Sequence, residues 1–293
     1  MDSAEGFLVQ PLVRCVVYCI VFIAALYLYG GVDRNTSKSV RQRIVSGSVA
    51  CGLILTDTLA FTRLPNTSPW RLDSYDLSRI FLRHQHLVLA LLLPTLSTGL
   101  LFLGPFWHEW RARRFYTLQD YARELWYTSN LIRLRNIVIA PLVEEIIFRG
   151  CILFHLQRRF DSCGALCLGS SLLFAVSHFH HVVERIYAGY AVREALLDVL
   201  SQVLMTAMFG AYSTLLVLRS GHLAAAFAVH SLCNLMGMPD IAGEMRVAEI
   251  HDPRWGRCVY KALLLVGFTS WLFLIGPAST LFGLSDSTLC RLP

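Results

Sequence analysis

The chain has 293 residues, 55% of them hydrophobic and only 16% charged, with a formal net charge of +6 and a mean hydropathy of +0.52. Soluble domains average about 45–50% apolar and about 25% charged residues, so this shortage of charge excludes an ordinary soluble enzyme. The positive excess lies mostly in loop arginines, where it reports orientation in a membrane rather than affinity for nucleic acid.

Eight apolar stretches follow in chain order, and the pattern predicts an all-α polytopic membrane protein forming one domain over residues 1–293. The first, roughly 12–30, makes a poor signal peptide: Asp2 and Glu5 precede it and no small-x-small cleavage site follows, so it is expected to stay as a span. Spans two and three cover roughly 44–62 and 87–107, and the fourth, roughly 137–156, carries Glu144, Glu145 and Arg149. The fifth and seventh, roughly 163–179 and 222–238, are short for a full crossing and are expected to stand upright or to end in a water-filled cavity. The sixth and eighth cover roughly 196–218 and 259–282. The nine cysteines show no zinc-ribbon spacing and read as small buried residues with free thiols.

Lys and Arg in the connections after odd-numbered spans number fifteen, against eight after even-numbered ones. The heavier side should face the cytosol, leaving both termini on the other side. Of two glycosylation sequons, Asn35 is then expected to stay bare, while Asn66 would be lumenal but close to a span end. The stretch 108–136 mixes aromatic and basic residues and reads as an amphipathic segment on the cytosolic interface. The C-terminal "CRLP" is formally a CAAX box, but its terminal proline and charged second position argue against prenylation of Cys290.

Ionisable groups at membrane depth cost at least about 2.5–3.5 kcal/mol each, so they line cavities or carry function by default. In span four, Glu145 and Arg149 share a face at i, i+4 and can pair, while Glu144 is rotated about 100° away. Span five holds "FAVSH", with Phe174 and His178 at i, i+4, and span seven holds "HSLCN", with His230 and Asn234 at the same spacing. With the orientation above, Glu144 and His230 lie ~12 Å below the cytosolic ends of their spans, Asn234 ~6 Å, and His178 at the mouth. All four fall in one half of the bilayer. A carboxylate, two histidines and an amide allow metal-assisted hydrolysis with Glu and His ligands, or metal-free hydrolysis with Glu144 and His178 activating water and His230 with Asn234 facing an oxyanion. The first lacks H-E-x-x-H spacing, since "HEWRAR" at His108 has no second histidine.

"EEIIFR", "FAVSH" and "HSLCN" fit E-E-x-x-x-R, F-x-x-x-H and H-x-x-x-N in the order of the CPBP family of intramembrane proteases, which the chain resembles. The flanks "RNIVIAPLVEEIIFR", "HFHHVVE" and "FGAYSTLLVLRSGHLAAAFAVHSLCNLMG" narrow the likeness, over about Leu101 to Pro239, to the eukaryotic branch that trims prenylated CAAX proteins. The resemblance implies an eight-span enzyme of the endoplasmic reticulum membrane that works without catalytic metal or cofactor. It would cut after the prenylated cysteine and release a three-residue tail. Its partners would be farnesylated or geranylgeranylated CAAX proteins, such as small GTPases, together with membrane lipids. By motif, Glu144 and His178 would activate water, and His230 and Asn234 would form the oxyanion hole. Glu145 and Arg149 would support them, and Phe174 would line the prenyl or peptide groove. Two alternatives stay open: a non-catalytic relative acting as a scaffold, and a zinc-dependent version of the same hydrolysis. A transporter with a Glu/His proton relay is opposed by the absence of inverted repeats.

Overall fold

The computed structural model describes residues 2–28, 35–62, 74–112, 130–237 and 240–275. Asn66, Cys290, most of the segment 108–136 and the end of the eighth stretch lie outside them. Every regular element among the described residues is helical. These are α1 (Asp2–Leu28), α2 (Ser37–Thr62), a short α3 (Ser74–Arg79) and α4, which runs through Leu87–Gly99, Leu100–Phe102 and Leu103–Ala112. Next, α5 runs through Asn130–Leu134, Arg135–Ile139, Ala140–Glu145, Ile146–Ile152 and Leu153–Leu156. The remainder are α6 (Cys163–Val176, Ser177–His180 and His181–Tyr187), α7 (Val192–Ser220), α8 (Leu223–Met236), α9 (Ile241–His251) and α10 (Gly256–Ile275).

Six of these helices, α1, α2, α4, α6, α7 and α10, are long and apolar enough to cross a bilayer. Their outward faces are apolar: Ile20, Leu96 and Leu265 are each at least 60% exposed. A surface of that kind suits lipid rather than water. The chain is therefore a multi-pass membrane protein. Of the other two expected spans, α5 carries three charges at its centre. The second, α8, has 14 residues, or ~21 Å at 1.5 Å per residue, short of the ~30 Å hydrocarbon core.

Helix α5 lies at the centre, packed by α1, α2, α6 and α8, because its Ile147–Leu153 run is apolar around nearly its whole circumference. Ile147, Phe148, Cys151, Ile152 and Leu153 have no exposed surface. The contact of α6 with α7 is the most extensive in the bundle. Helix α7 ends at Gly221, whose φ of 67° is the left-handed conformation that lets the chain reverse into α8. Ser162 starts α6 by accepting a hydrogen bond from the Ala165 N–H.

Two expectations are corrected. The fifth span was expected to stop near Phe179, but α6 continues to Tyr187 through one tight turn, Ser177–His180. The polar residues that seemed to end it are satisfied by neighbours. The Glu184 carboxylate lies 2.8 Å from both Arg43 on α2 and His181, and accepts from the Tyr27 hydroxyl on α1 at 3.2 Å. The cysteines were all expected to be free thiols. Seven described ones are, whereas Cys163, at the start of α6, is disulfide-bonded.

Candidate active site

Pro141 shapes the helix that carries the two glutamates. It has no N–H to donate and its ring crowds the preceding turn, and the wide π turn Arg135–Ile139 just before it relieves both conflicts. A second π turn, Ile146–Ile152, follows Glu145. Such widened turns recur at functional sites because they re-aim side chains without ending the helix.

Glu145 is completely buried, and each of its oxygens is engaged. Oε1 lies 3.2 Å from the Arg149 guanidinium and 2.7 Å from His230 Nδ1, while Oε2 accepts from the Ser213 hydroxyl at 2.9 Å. Arg149 is equally buried, and its remaining charge faces aromatic rings, with Cζ 4.1 Å from the centroid of Phe174 and 6.0 Å from that of Phe209. Gly210 on α7 is needed beside it. A Cβ there would sit 3.0 Å from Ser171 Cα and 3.3 Å from the Arg149 guanidinium.

Glu144 points elsewhere, as its 100° rotation requires. Its side chain is 19% exposed, and Oε2 stands 3.7 Å from His230 Nε2. The imidazole of His230 therefore lies between the two neighbouring carboxylates. Because Glu145 Oε1 accepts at Nδ1, that nitrogen carries hydrogen, and Nε2 faces Glu144.

His178 sits on the tight turn of α6, with Nδ1 2.8 Å from the Phe174 carbonyl oxygen. A carbonyl only accepts, so Nδ1 is the donor and the neutral ring keeps its lone pair on Nε2. The Phe174 ring meets His178 edge-on at 4.7 Å and Phe148 at 4.9 Å. Asn234, at the end of α8, donates one amide N–H to the Asn136 carbonyl at 2.9 Å, which leaves its second N–H for another acceptor.

Glu144, His178, His230 and Asn234 line one cavity of about 360 Å³ between α1, α2, α5, α6 and α8. His178, His230 and Asn234 also line a larger one of about 1390 Å³, reached by Phe102, Met205 and Phe209. The three helices thus bring together all four residues of the proposed chemistry, and Glu145 and Arg149 lie directly behind them. Phe174 lines the larger cavity, although it is only 2% exposed, and its ring lies between Arg149 and His178. The sequence reading missed Ser213, Phe209 and Asn136, all partners of the motif residues. The one local signal was a hydroxyl pair, Ser213 and Thr214, inside the largely apolar run 207–218.

Among the described residues, one His/Glu group has donor atoms close enough for a metal ion: His180, His181 and Glu184, within 4.8 Å of one another. The guanidinium of Arg43, 2.8 Å from the same Glu184 carboxylate, already supplies a positive charge there and opposes a second.

Comparison with known proteins agrees with this arrangement. Residues 124–236 match the family described as "Type II CAAX prenyl endopeptidase Rce1-like". The chain is 31% identical over 246 residues to CAAX prenyl protease 2 of Homo sapiens, covering 79% of this chain and 71% of that protein. It is 28% identical over 303 residues to CAAX prenyl protease 2 of Arabidopsis thaliana, covering 94% and 91%. It is 34% identical over 173 residues to the probable CAAX prenyl protease 2 of Schizosaccharomyces pombe, covering 59% and 61%. No solved structure matches. The matched segment holds every residue of the glutamate and histidine cluster, and the likeness to the human protein runs well beyond it. The chain belongs to the type II CAAX prenyl endopeptidase family.

Proposed function

We propose that Glu144, His178, His230 and Asn234 hydrolyse the peptide bond after the prenylated cysteine of CAAX proteins. The enzyme is a membrane peptidase of that family, and prenylated CAAX proteins are its substrate class. The observation that carries the residue assignment is the common cavity of about 360 Å³ shared by these four side chains, contributed by α5, α6 and α8.

A water molecule between Glu144 and His178 Nε2 loses a proton to this pair as its oxygen attacks the carbonyl carbon of the prenylcysteine. The oxyanion of the tetrahedral intermediate accepts the second N–H of Asn234. His230, whose Nε2 faces the same cavity, is the second group assigned to the oxyanion. Collapse of the intermediate breaks the C–N bond, and the proton taken from water passes to the leaving amine. Glu145 and Arg149 keep His230 in place, and Phe174 holds His178 through its carbonyl and ring. The scheme needs no covalent intermediate.

We further place the enzyme in the endoplasmic reticulum membrane as one domain, with this cavity open to the cytosol. The Lys/Arg bias of the connections supports that orientation. So does Cys163: its oxidised state belongs to an oxidising compartment, and the same orientation puts it on the lumenal side. Small GTPases bearing CAAX tails fit as substrates, with surrounding lipid holding their prenyl chains.

The test is cleavage of a farnesylated CAAX peptide by the purified protein, with and without a strong chelator. Release of an intact tripeptide, indifferent to chelator, is the expected result. Peptide binding without turnover would instead make the protein a non-catalytic relative. Loss of activity restored only by zinc would overturn the metal-free scheme.

A further inference from the structure

His178, His181, Gln202, His230 and Asn234 line both cavities, so these five stand at their junction. Four of them are already committed. His178, His230 and Asn234 serve the chemistry, and His181 Nδ1 lies 2.8 Å from Glu184. Gln202, on α7, is partly buried, and its carboxamide meets no hydrogen-bonding partner among the described residues. Polar side chains within membrane helices ordinarily bond across to a neighbouring helix. This one instead keeps two N–H donors and a carbonyl acceptor beside the space that a substrate must cross.

We infer that the Gln202 carboxamide binds a backbone amide of the substrate next to the scissile bond, holding the chain across the junction. The inference rests on the peptidase reading above. A peptide that enters the cavity gives up the water around its amides, and each amide left unpartnered weakens binding. Glu144, His178, His230 and Asn234 are occupied with the attacking water and the scissile carbonyl. None of them is left for the amides on either side. A carboxamide complements such an amide, since its carbonyl accepts from a peptide N–H while its own N–H donates to a peptide carbonyl.

The position of Gln202 along the bundle fits that task. Seven residues further along the same face of α7, the Phe209 ring lies 4.9 Å from His230. Helices α7 and α8 pack together and run in opposite directions, because the chain reverses at Gly221. Measured from the Phe209–His230 contact, Asn234 lies ~6 Å along α8 and Gln202 ~10.5 Å back along α7, toward the same end. The difference of ~4.5 Å is little more than the roughly 3.3–3.6 Å that one extended residue covers. Gln202 therefore stands about one residue away from the oxyanion donor, level with an amide that flanks the cut. Asp198, Met205 and Phe209, at helical spacing from it, also line the larger cavity, so this face of α7 turns to the groove rather than to lipid.

The experiment uses three farnesylated CAAX peptides, one with all its amides and two in which one flanking amide becomes an ester. The first ester joins the preceding residue to the prenylated cysteine, and the second joins the first two residues of the tail. Each removes an N–H and weakens a carbonyl acceptor without altering the bond that is cut. In the wild-type protein at least one ester should lower kcat/KM by about 2- to 12-fold, the range of a neutral hydrogen bond. Q202L should slow the all-amide peptide by a similar factor and bring that ester penalty close to one. The ratio is read within each variant, so it does not depend on how much protein folds. Ester penalties that survive unchanged in Q202L would overturn the inference. So would two esters that the wild type cleaves as fast as the all-amide peptide. If the wild type cleaves no peptide at all, the peptidase reading itself has failed.

Discussion

Polar side chains interrupt the apolar interior at both ends of the bundle, and the two groups are built alike yet end differently. At one end stand Glu144, Glu145, Arg149, His178 and His230, with Asn234 and Asn136 beside them. At the other, the Tyr18 hydroxyl donates to Asp57 at 2.5 Å, meets His155 Nε2 at 3.2 Å and accepts from Thr58 at 3.2 Å. Arg14 pairs with the same Asp57 and lies over the Phe61 ring. Each cluster has a carboxylate, an arginine and a histidine. The first, however, borders two cavities, and Glu144, His178 Nε2 and one Asn234 N–H turn toward open space. The second engages its hydroxyl, its carboxylate and His155 Nε2 with one another, leaves His155 Nδ1 buried without a partner among the described residues, and contributes to neither of these cavities. Burying polar groups in a membrane protein is thus not enough to make a site. What matters is which groups are left with unused donors or acceptors facing a space that a substrate can enter.

The sharpest way to break the contrast is to remove ionisable groups from each end in turn. Glu144→Ala and His178→Ala should lower kcat/KM by about 10²–10⁴-fold, the usual contribution of a positioned acid or base. Their melting temperatures should stay near that of the wild type. Asp57→Ala should do the reverse, melting earlier while turnover per folded molecule barely changes. Peptide cleavage followed by mass spectrometry, read beside thermal unfolding in detergent, measures both. If Asp57→Ala loses turnover as heavily as Glu144→Ala, the two ends do not differ in kind.

The next effect concerns the buried ion pairs. Arg149→Met leaves the Glu145 carboxylate, which has no exposed surface, without its cation, and that should cost roughly 3–5 kcal/mol. Arg14→Met should cost far less, because the Arg14 and Asp57 side chains are 25% and 45% exposed. The double variant Glu145→Gln with Arg149→Met should recover part of the loss. Equal destabilisation by Arg149→Met and Arg14→Met in denaturant titrations would remove the distinction.

Asn234→Ala sharpens the comparison on the chemical side. An oxyanion donor acts mainly in the transition state, so kcat should fall by about 10²–10³-fold with little change in KM. A rise in KM alone would assign Asn234 to substrate binding instead.

How much of this was legible in the sequence follows from the range of each signal. The helical membrane architecture was, since apolar runs and scarce charge are local. The motif residues were as well, because i, i+4 spacing puts Glu145 with Arg149, Phe174 with His178 and His230 with Asn234 on shared faces. Their meeting around one cavity could be anticipated by counting helix rise. The bond between His230 and Glu145 was not legible, since 85 residues separate them. Nor was the Ser213 contact, made by a small hydroxyl in a largely apolar stretch of α7. The far cluster escaped notice because Arg14, Asp57 and His155 come from three spans, and no local spacing unites them. The end of α6 was misread for a related reason: the partners of Glu184 lie on α1 and α2, so its burial could not be seen from α6 alone.

The smallest predicted effect is the most exacting test of the comparison, because it changes one oxygen atom at each end. Tyr18→Phe removes a hydroxyl that meets Asp57, His155 and Thr58, and it should cost about 1–2 kcal/mol of stability with turnover unaltered. Tyr27→Phe is its counterpart. That hydroxyl donates to Glu184 Oε1 at 3.2 Å and to the His180 carbonyl at 3.3 Å. Glu184 in turn holds His181, which lines both cavities. A similar stability loss is expected there, accompanied by a few-fold fall in kcat/KM as the His181 side of the junction loosens. Should Tyr18→Phe slow cleavage as much as Tyr27→Phe, the far cluster would be coupled to the chemistry through α5, and the division between a structural end and a reacting end would have to be abandoned.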